Sequence, residues 1–266
     1  MKDYMNWLSN KNLSQHTIHN YLAHAELWLK ELNNQEPTQE NIAQYLKQCE
    51  QNNLKANTIR LKYAAIRSYL TFKKQTQLLI DIEQIKLPTI LFINRQVLTI
   101  PEFEKRKAAF EVINDKWTQR DWLIFSILFL TGLRASELSG FEKSKIEDDK
   151  ITIKGKGNKT RTIFIVPYLK SLLDKWPHNT VLIGKKGEHL CYKQVNKIVT
   201  RISKLYFKRN DKPHDLRRAY ATNLLRNKVD LKTVSLVMGH SNINTTSRYI
   251  HLNEKEIAKS INSVFK

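Results

Sequence analysis

Six side chains in the C-terminal half of this 266-residue sequence could together move a phosphodiester bond from one oxygen to another. Cutting a nucleic acid strand without hydrolysis needs a nucleophile, cations on the non-bridging oxygens and a proton for the leaving oxygen. Tyr249 has the chemistry of the nucleophile and would store the broken bond as an ester. Arg134 and Arg217 carry planar forks suited to phosphate oxygens. Lys156, His214 and His240 can donate, accept or hold a proton. No metal is required by such a set.

These residues lie in four separated places, and each needs an element to present it. Arg134 stands in Thr131-Gly132-Leu133-Arg134-Ala135-Ser136-Glu137-Leu138, just past a helix break at the glycine. Lys156 is at the tip of a glycine-rich hairpin, Gly155-Lys156-Gly157-Asn158. His214 and Arg217 are three apart after Pro213, on one helical face. His240 follows Gly239, and Tyr249 comes nine residues later. Taken singly, each has an ordinary reading: a surface arginine, a plain turn, a chance His-x-x-Arg, a core aromatic. Glu137 fits equally a supporting acid for Arg134 and a plain helix residue. His16, His19 and His24 do not follow a zinc-binding spacing and have no cysteine or acidic partner beside them.

Charge narrows the class. A net charge of +20 points to a polyanionic partner, because lysines and arginines that replace condensed counterions gain affinity for phosphate. Residues 1–90 hold 11 Lys and Arg against 8 Asp and Glu, whereas residues 91–266 hold 34 against 17. The basic character therefore sits with the candidate chemistry. Charge alone does not separate DNA from RNA. The longest apolar run, Trp122–Leu130, is far short of the roughly 20 residues of a membrane span and reads as a buried helix. With two cysteines and no secretory leader pattern, the sequence predicts a cytoplasmic protein.

The pattern along the chain predicts a mainly α protein with a small β-hairpin. Three helices are expected at Ser14–Leu32, after Pro37-Thr38, and at Ala56–Phe72. On the last, Lys55, Arg60, Lys62 and Arg67 could meet phosphates or simply be solvated. Residues 1–86 form one helical domain, 87–97 a linker, and 98–266 a second domain that opens with a capping box at Thr99 and Glu102. Lys150–Lys154 and Thr160–Val166 are the hairpin strands, and Val181–Gly184 is a further short strand. Near the C-terminus, Ile257, Ile261, Val264 and Phe265 make an apolar stripe that we expect to dock on a neighbouring protomer.

In order and spacing, Thr-Gly-Leu-Arg134-x-Ser-Glu-Leu, Gly-Lys156-Gly-Asn-Lys, Pro-His214-x-Leu-Arg217, Gly-His240-Ser and Thr-Thr-x-x-Tyr249 resemble the signature of the tyrosine recombinases (phage integrases). The likeness is closest to Xer-type members and simple phage or transposon integrases. It is strong over residues 98–260, while the N-terminal helices match in pattern. The resemblance implies a helical, SAM-like core-binding domain and a catalytic domain closing on DNA as a clamp. It makes Tyr249 the nucleophile of a 3′-phosphotyrosyl intermediate. Arg134, Arg217 and His240 become the phosphate ligands, Lys156 the general acid, and His214 the manager of the tyrosine proton. It implies no cofactor, double-stranded DNA with inverted-repeat sites, and a homo-tetramer on that DNA, alone or with a paralogue or accessory protein. Two departures stand out: Arg218 where many relatives carry His, and Asn223 in a stretch of small residues. A type IB topoisomerase uses a similar set, but the Gly-Lys-Gly-Asn-Lys hairpin and the His240 to Tyr249 spacing favour a recombinase. A non-catalytic DNA-binding protein would not need the complete set.

Overall fold

The computed structural model describes residues 1–33, 35–90, 96–154, 160–239 and 254–265, in two compact units, Met1–Asn94 and Arg95–Lys266. The first unit is helical: α1 (Lys2–Ser9), α2 (Gln15–Glu31), α3 (Gln39–Gln51), α4 (Ala56–Phe72) and α5 (Thr76–Asp81). Local chemistry sets the starts. Ser14 accepts the Thr17 N–H at 3.2 Å, and Thr38 forms a reciprocal capping box with Asn41. α4 packs against α2 and α3, burying Trp28, Ile42, Leu46, Ile59 and Ile66. Tyr69 stands edge-on to both Tyr4 and Trp28, linking this core to the smaller cluster under α1.

The basic residues of α4 are largely engaged within their own unit. Arg60 donates to the Pro88 carbonyl at 3.1 Å, Lys62 to the Tyr45 hydroxyl at 2.6 Å, and Arg67 pairs with Glu83 at 2.9 Å. These three thus have partners within their own unit, a role that neither phosphate contact nor plain solvation had described.

The second unit begins with α6 (Ile100–Glu111), opened by the expected box of Thr99 and Glu102. α7 (Lys116–Thr131) is buried at every position from Arg120 to Thr131, as its apolar run predicts. Around it pack α8 (Pro167–Lys175), α9 (Tyr192–Phe207) and α10 (Pro213–Arg226). Two polar residues inside this layer compensate each other: Asp121 receives Arg120 at 2.5 Å and also pairs with Arg201 of α9. Strands β1 (Lys150–Lys154) and β2 (Thr160–Phe164) form an antiparallel pair, with Lys150 opposite Phe164 and Lys154 opposite Thr160. Val181–Gly184 makes no regular strand: Ile183 forms one isolated bridge with His189, because no neighbouring strand continues the ladder. α11 (Leu231–Met238) and α12 (Glu254–Val264) complete the described elements. Among the described residues no helix is long and apolar enough to cross a membrane.

In the single chain the C-terminal stripe is covered from within its own unit. Ile261, Val264 and Phe265 are buried in the core of their own unit, where Phe265 stacks on Tyr220 at 5.3 Å and meets Phe129 edge-on at 6.0 Å. A flat aromatic partner within the same unit offers these apolar side chains the burial that a second protomer would otherwise supply.

Candidate active site

The first arginine is presented by the way α7 stops. Gly132 takes a left-handed φ of 63° and donates its N–H to the Leu128 carbonyl at 3.2 Å, ending the helix. A Cβ there would lie 2.5 Å from Cδ1 of Tyr220, so both backbone angle and space demand glycine. The chain then folds into a tight turn around Glu137. The Arg134 N–H donates to one carboxylate oxygen at 2.9 Å, and its guanidinium donates to the other at 2.5 Å. Glu137 is only 5% exposed. Burial pushes its carboxyl pKa up, but the hydrogen bonds from Arg134 and the charges of Arg161 and Arg134 outweigh this and hold it below the ordinary value.

A second arginine reaches the same carboxylate from β2. Arg161 donates to Glu137 at 2.7 Å and to the carbonyl of Val237, with 7% of its side chain exposed. The third, Arg217, lies in α10 and is 4% exposed. It donates to the Gly132 carbonyl at 2.6 Å and to the carbonyl of Met238. Two arginines thus take the last carbonyls of α11, which has no further turn to satisfy them. Positive guanidinium groups also suit the negative end of the helix. Gly239 closes α11 with a φ of 60°, and a Cβ there would lie 2.7 Å from Cδ of Arg161.

Among the described residues the cluster carries three guanidinium groups near one carboxylate, and the imbalance is visible in Arg217. Its pKa is lowered to about 10, first by burial and then by repulsion from Arg161 and Arg134. Tyr220, fully enclosed beside these cations, has its phenol pushed up by burial despite the lowering pull of Arg161 and Arg217. Buried like charges of this kind are what a polyanion could neutralise.

Of the residues singled out in the sequence, the fold brings Arg134 and Arg217 together through Glu137, Gly132 and Arg161. His214 stands one turn before Arg217 on α10, exposed. Lys156, His240 and Tyr249 lie outside the described residues; their segments follow β1 and Gly239 directly in the chain. Arg161 escaped the sequence reading, since a charged residue in a β-branched strand ordinarily faces solvent. The two departures acquire contacts. Asn223, 3% exposed, donates to the Leu98 carbonyl at 2.8 Å and so ties α10 to the segment before α6. Arg218 lies 3.7 Å from Asp215, one turn earlier.

Comparison with known proteins identifies the family. The profile of the phage integrase family matches residues 98–256, and that of the phage integrase N-terminal SAM-like domain matches residues 1–77. The chain is 29% identical to the tyrosine recombinase XerC of Listeria innocua serovar 6a, over 96% of this chain and 92% of that protein. Two solved structures share the fold at 19% identity. A lambda integrase dimer bound to a COC′ core site gives a TM-score of 0.71 over 90% of this chain and 93% of that one. A lambda integrase tetramer bound to a Holliday junction gives 0.68 over 92% and 77%. With both profiles matched in order and the first covering more than half of the chain, the chain belongs to the phage integrase family of tyrosine recombinases.

Proposed function

We propose that this site-specific recombinase cuts a DNA strand with Tyr249, which attacks the scissile phosphate and releases a 5′-hydroxyl end. The new bond joins the tyrosine oxygen to phosphorus, the bond to the 5′-oxygen breaks, and attack by a 5′-hydroxyl of a second strand reverses the step. Arg134 and Arg217 hold the non-bridging oxygens, with His240 beside them. Lys156 delivers the proton to the leaving oxygen, and His214 takes the proton of the tyrosine. The observation that carries this reading is the convergence of positive charge: Arg134 and Arg161 both donate to Glu137, and Arg217, buried on the Gly132 and Met238 carbonyls, feels the repulsion of both. A phosphate is the anion whose oxygens such forks bind. The DNA is double-stranded with inverted-repeat sites, four protomers act together on it, and the work is done in the cytoplasm.

The test needs no knowledge of the target sequence. Native protein and Tyr249→Phe are incubated with fragmented genomic DNA, detergent-stable protein–DNA adducts are isolated, and the attached ends are sequenced. The native chain should give adducts at a recurrent sequence, with phosphate-free 5′ ends that accept label from a kinase directly. Tyr249→Phe should give none. Adducts that persist in Tyr249→Phe, or native protein that yields none, would refute the assignment. Adducts scattered without a recurrent sequence would point to a topoisomerase.

A further inference from the structure

Arg161 belongs to none of the six residues to which the chemistry is assigned, yet its side chain joins β2, the turn that carries Arg134 and the end of α11. It is the second residue of β2, paired with Ile153 of β1, so it stands on the strand that returns from the Lys156 hairpin. One arm of its guanidinium donates to Glu137, the carboxylate that also grips the backbone and side chain of Arg134. Another arm donates to the Val237 carbonyl at the end of α11. Its aliphatic stem lies so close to Gly239, the residue before His240, that no Cβ fits between them. Its Nε is buried and has no hydrogen-bond partner among the described residues.

We infer that Arg161 is a positioning residue for the strand-cleavage reaction: a strut that fixes the Lys156 hairpin, the Arg134 turn and the segment leading to His240 in one register. The inference rests on the site assignment above. A planar fork suits this task because its donors diverge in fixed directions, one toward a carboxylate and one toward a helix-terminal carbonyl. Lysine brings the same charge as a single point and cannot hold both acceptors in the same geometry. Burying a cation for stability alone is a poor bargain compared with an apolar side chain of similar volume. The strut role explains why a charged group is kept there. Arg161 acts through Arg134, Lys156 and His240, and loosening three catalytic segments by as little as an ångström slows a reaction by about 10²-fold.

The experiment uses full-length protein and a nicked duplex built from the trapped cleavage sequence. Single-turnover formation of the covalent adduct, DNA affinity and thermal melting are measured for native protein, Arg161→Lys and Arg161→Met. We expect both variants to melt cooperatively and to bind the duplex within about threefold of native. Both should form adduct about 10²-fold more slowly. A second duplex, with sulfur replacing the bridging 5′-oxygen, needs no proton on its leaving group. On it the variants should recover part of the loss, because displacement of Lys156 no longer matters. Adduct formation within threefold of native, or full rescue by Arg161→Lys, would overturn the inference. So would a loss of rate that merely tracks loss of folding, or an identical defect on both duplexes. If native protein itself forms no adduct through Tyr249, the site assignment has failed; native adduct with fast variants sinks the strut alone.

Discussion

Replacing Glu137 by glutamine tests whether the arginine cluster is held as a charged unit. The carboxylate accepts from the Arg134 N–H at 2.9 Å, the Arg134 guanidinium at 2.5 Å and Arg161 at 2.7 Å. A glutamine offers one acceptor oxygen and turns an amide donor toward the other partner, so one arginine faces a donor instead of an acceptor. The two arginines are not equal. Arg134 keeps 35% of its side chain exposed, so water screens its loss to under about 1 kcal/mol. Arg161, with 7% exposed, is left as a buried cation short of its counter-charge, and breaking such a pair costs about 3–5 kcal/mol. For a unit of this size that lowers the melting temperature by roughly 6–20 °C.

The dependence on pH follows from the lowered pKa of Glu137. A carboxylate held below its ordinary value stabilises the fold fully above that value, 4.5, and loses this contribution as pH falls through the folded value. The difference between native and Glu137→Gln should thus be constant near neutrality and shrink below about pH 4. Sulfate, entering where the carboxylate charge has gone, should raise the melting temperature of the variant more than that of native protein. Calorimetric scans across pH and sulfate concentration read all three effects. A loss below about 1 kcal/mol at pH 7, or a difference that does not change with acid, would show that the carboxylate is not the counter-charge of the cluster.

Two further changes probe the supports of the same site. Gly132→Ala forces a left-handed φ of 63° on a residue with a Cβ and drives that atom to 2.5 Å from Tyr220. Strain and overpacking together should cost roughly 2–4 kcal/mol by denaturant melting, and adduct formation should fall further than DNA affinity because the Gly132 carbonyl holds Arg217. Phe265→Ala removes a ring that is 1% exposed and should cost about 3–5 kcal/mol. Because the ring packs on Tyr220 of its own chain, that loss should be the same at low and high protein concentration in thermal melts; a loss that shrinks on dilution would mean the helix docks between protomers.

What could be read from the sequence was whatever a few neighbouring residues decide. Ser14, Thr38 and Thr99 announce helix starts because the acceptor and its N–H lie three residues apart. The burial of α7 follows from an uninterrupted apolar run, and the hairpin strands from β-branched residues. Arg134 and Arg217 were found as members of an ordered set of motifs. Arg161 was invisible for a physical reason. Its burial depends on Glu137 and Val237, which lie 24 and 76 residues away, and no local pattern records such partners. Asn223 looked like a mere departure because its acceptor, Leu98, is 125 residues distant. The C-terminal stripe was read correctly as apolar, but amphipathicity says only that a face is covered. Tyr220 and Phe129, which cover it, are named by the fold.

On the proposed mechanism, the cluster lets the same cations serve folding and chemistry. Arg217 and Arg161 terminate α11 by capping its last carbonyls, a task that a neutral donor could share. Neutral donors would leave no charge over. Arginines leave a surplus, and a single carboxylate does not cancel it, so the free protein carries an unfavourable concentration of positive charge under Arg134. That unfavourable state is relieved by whatever anion enters, and most by one whose charge increases as it reacts. A phosphodiester carries one negative charge in the ground state and spreads more onto its oxygens as the tyrosine oxygen attacks. Repulsion among the arginines therefore weakens steadily along the reaction coordinate. On the proposed mechanism the electrostatic cost met on folding is recovered in part when the phosphodiester binds and further in the transition state.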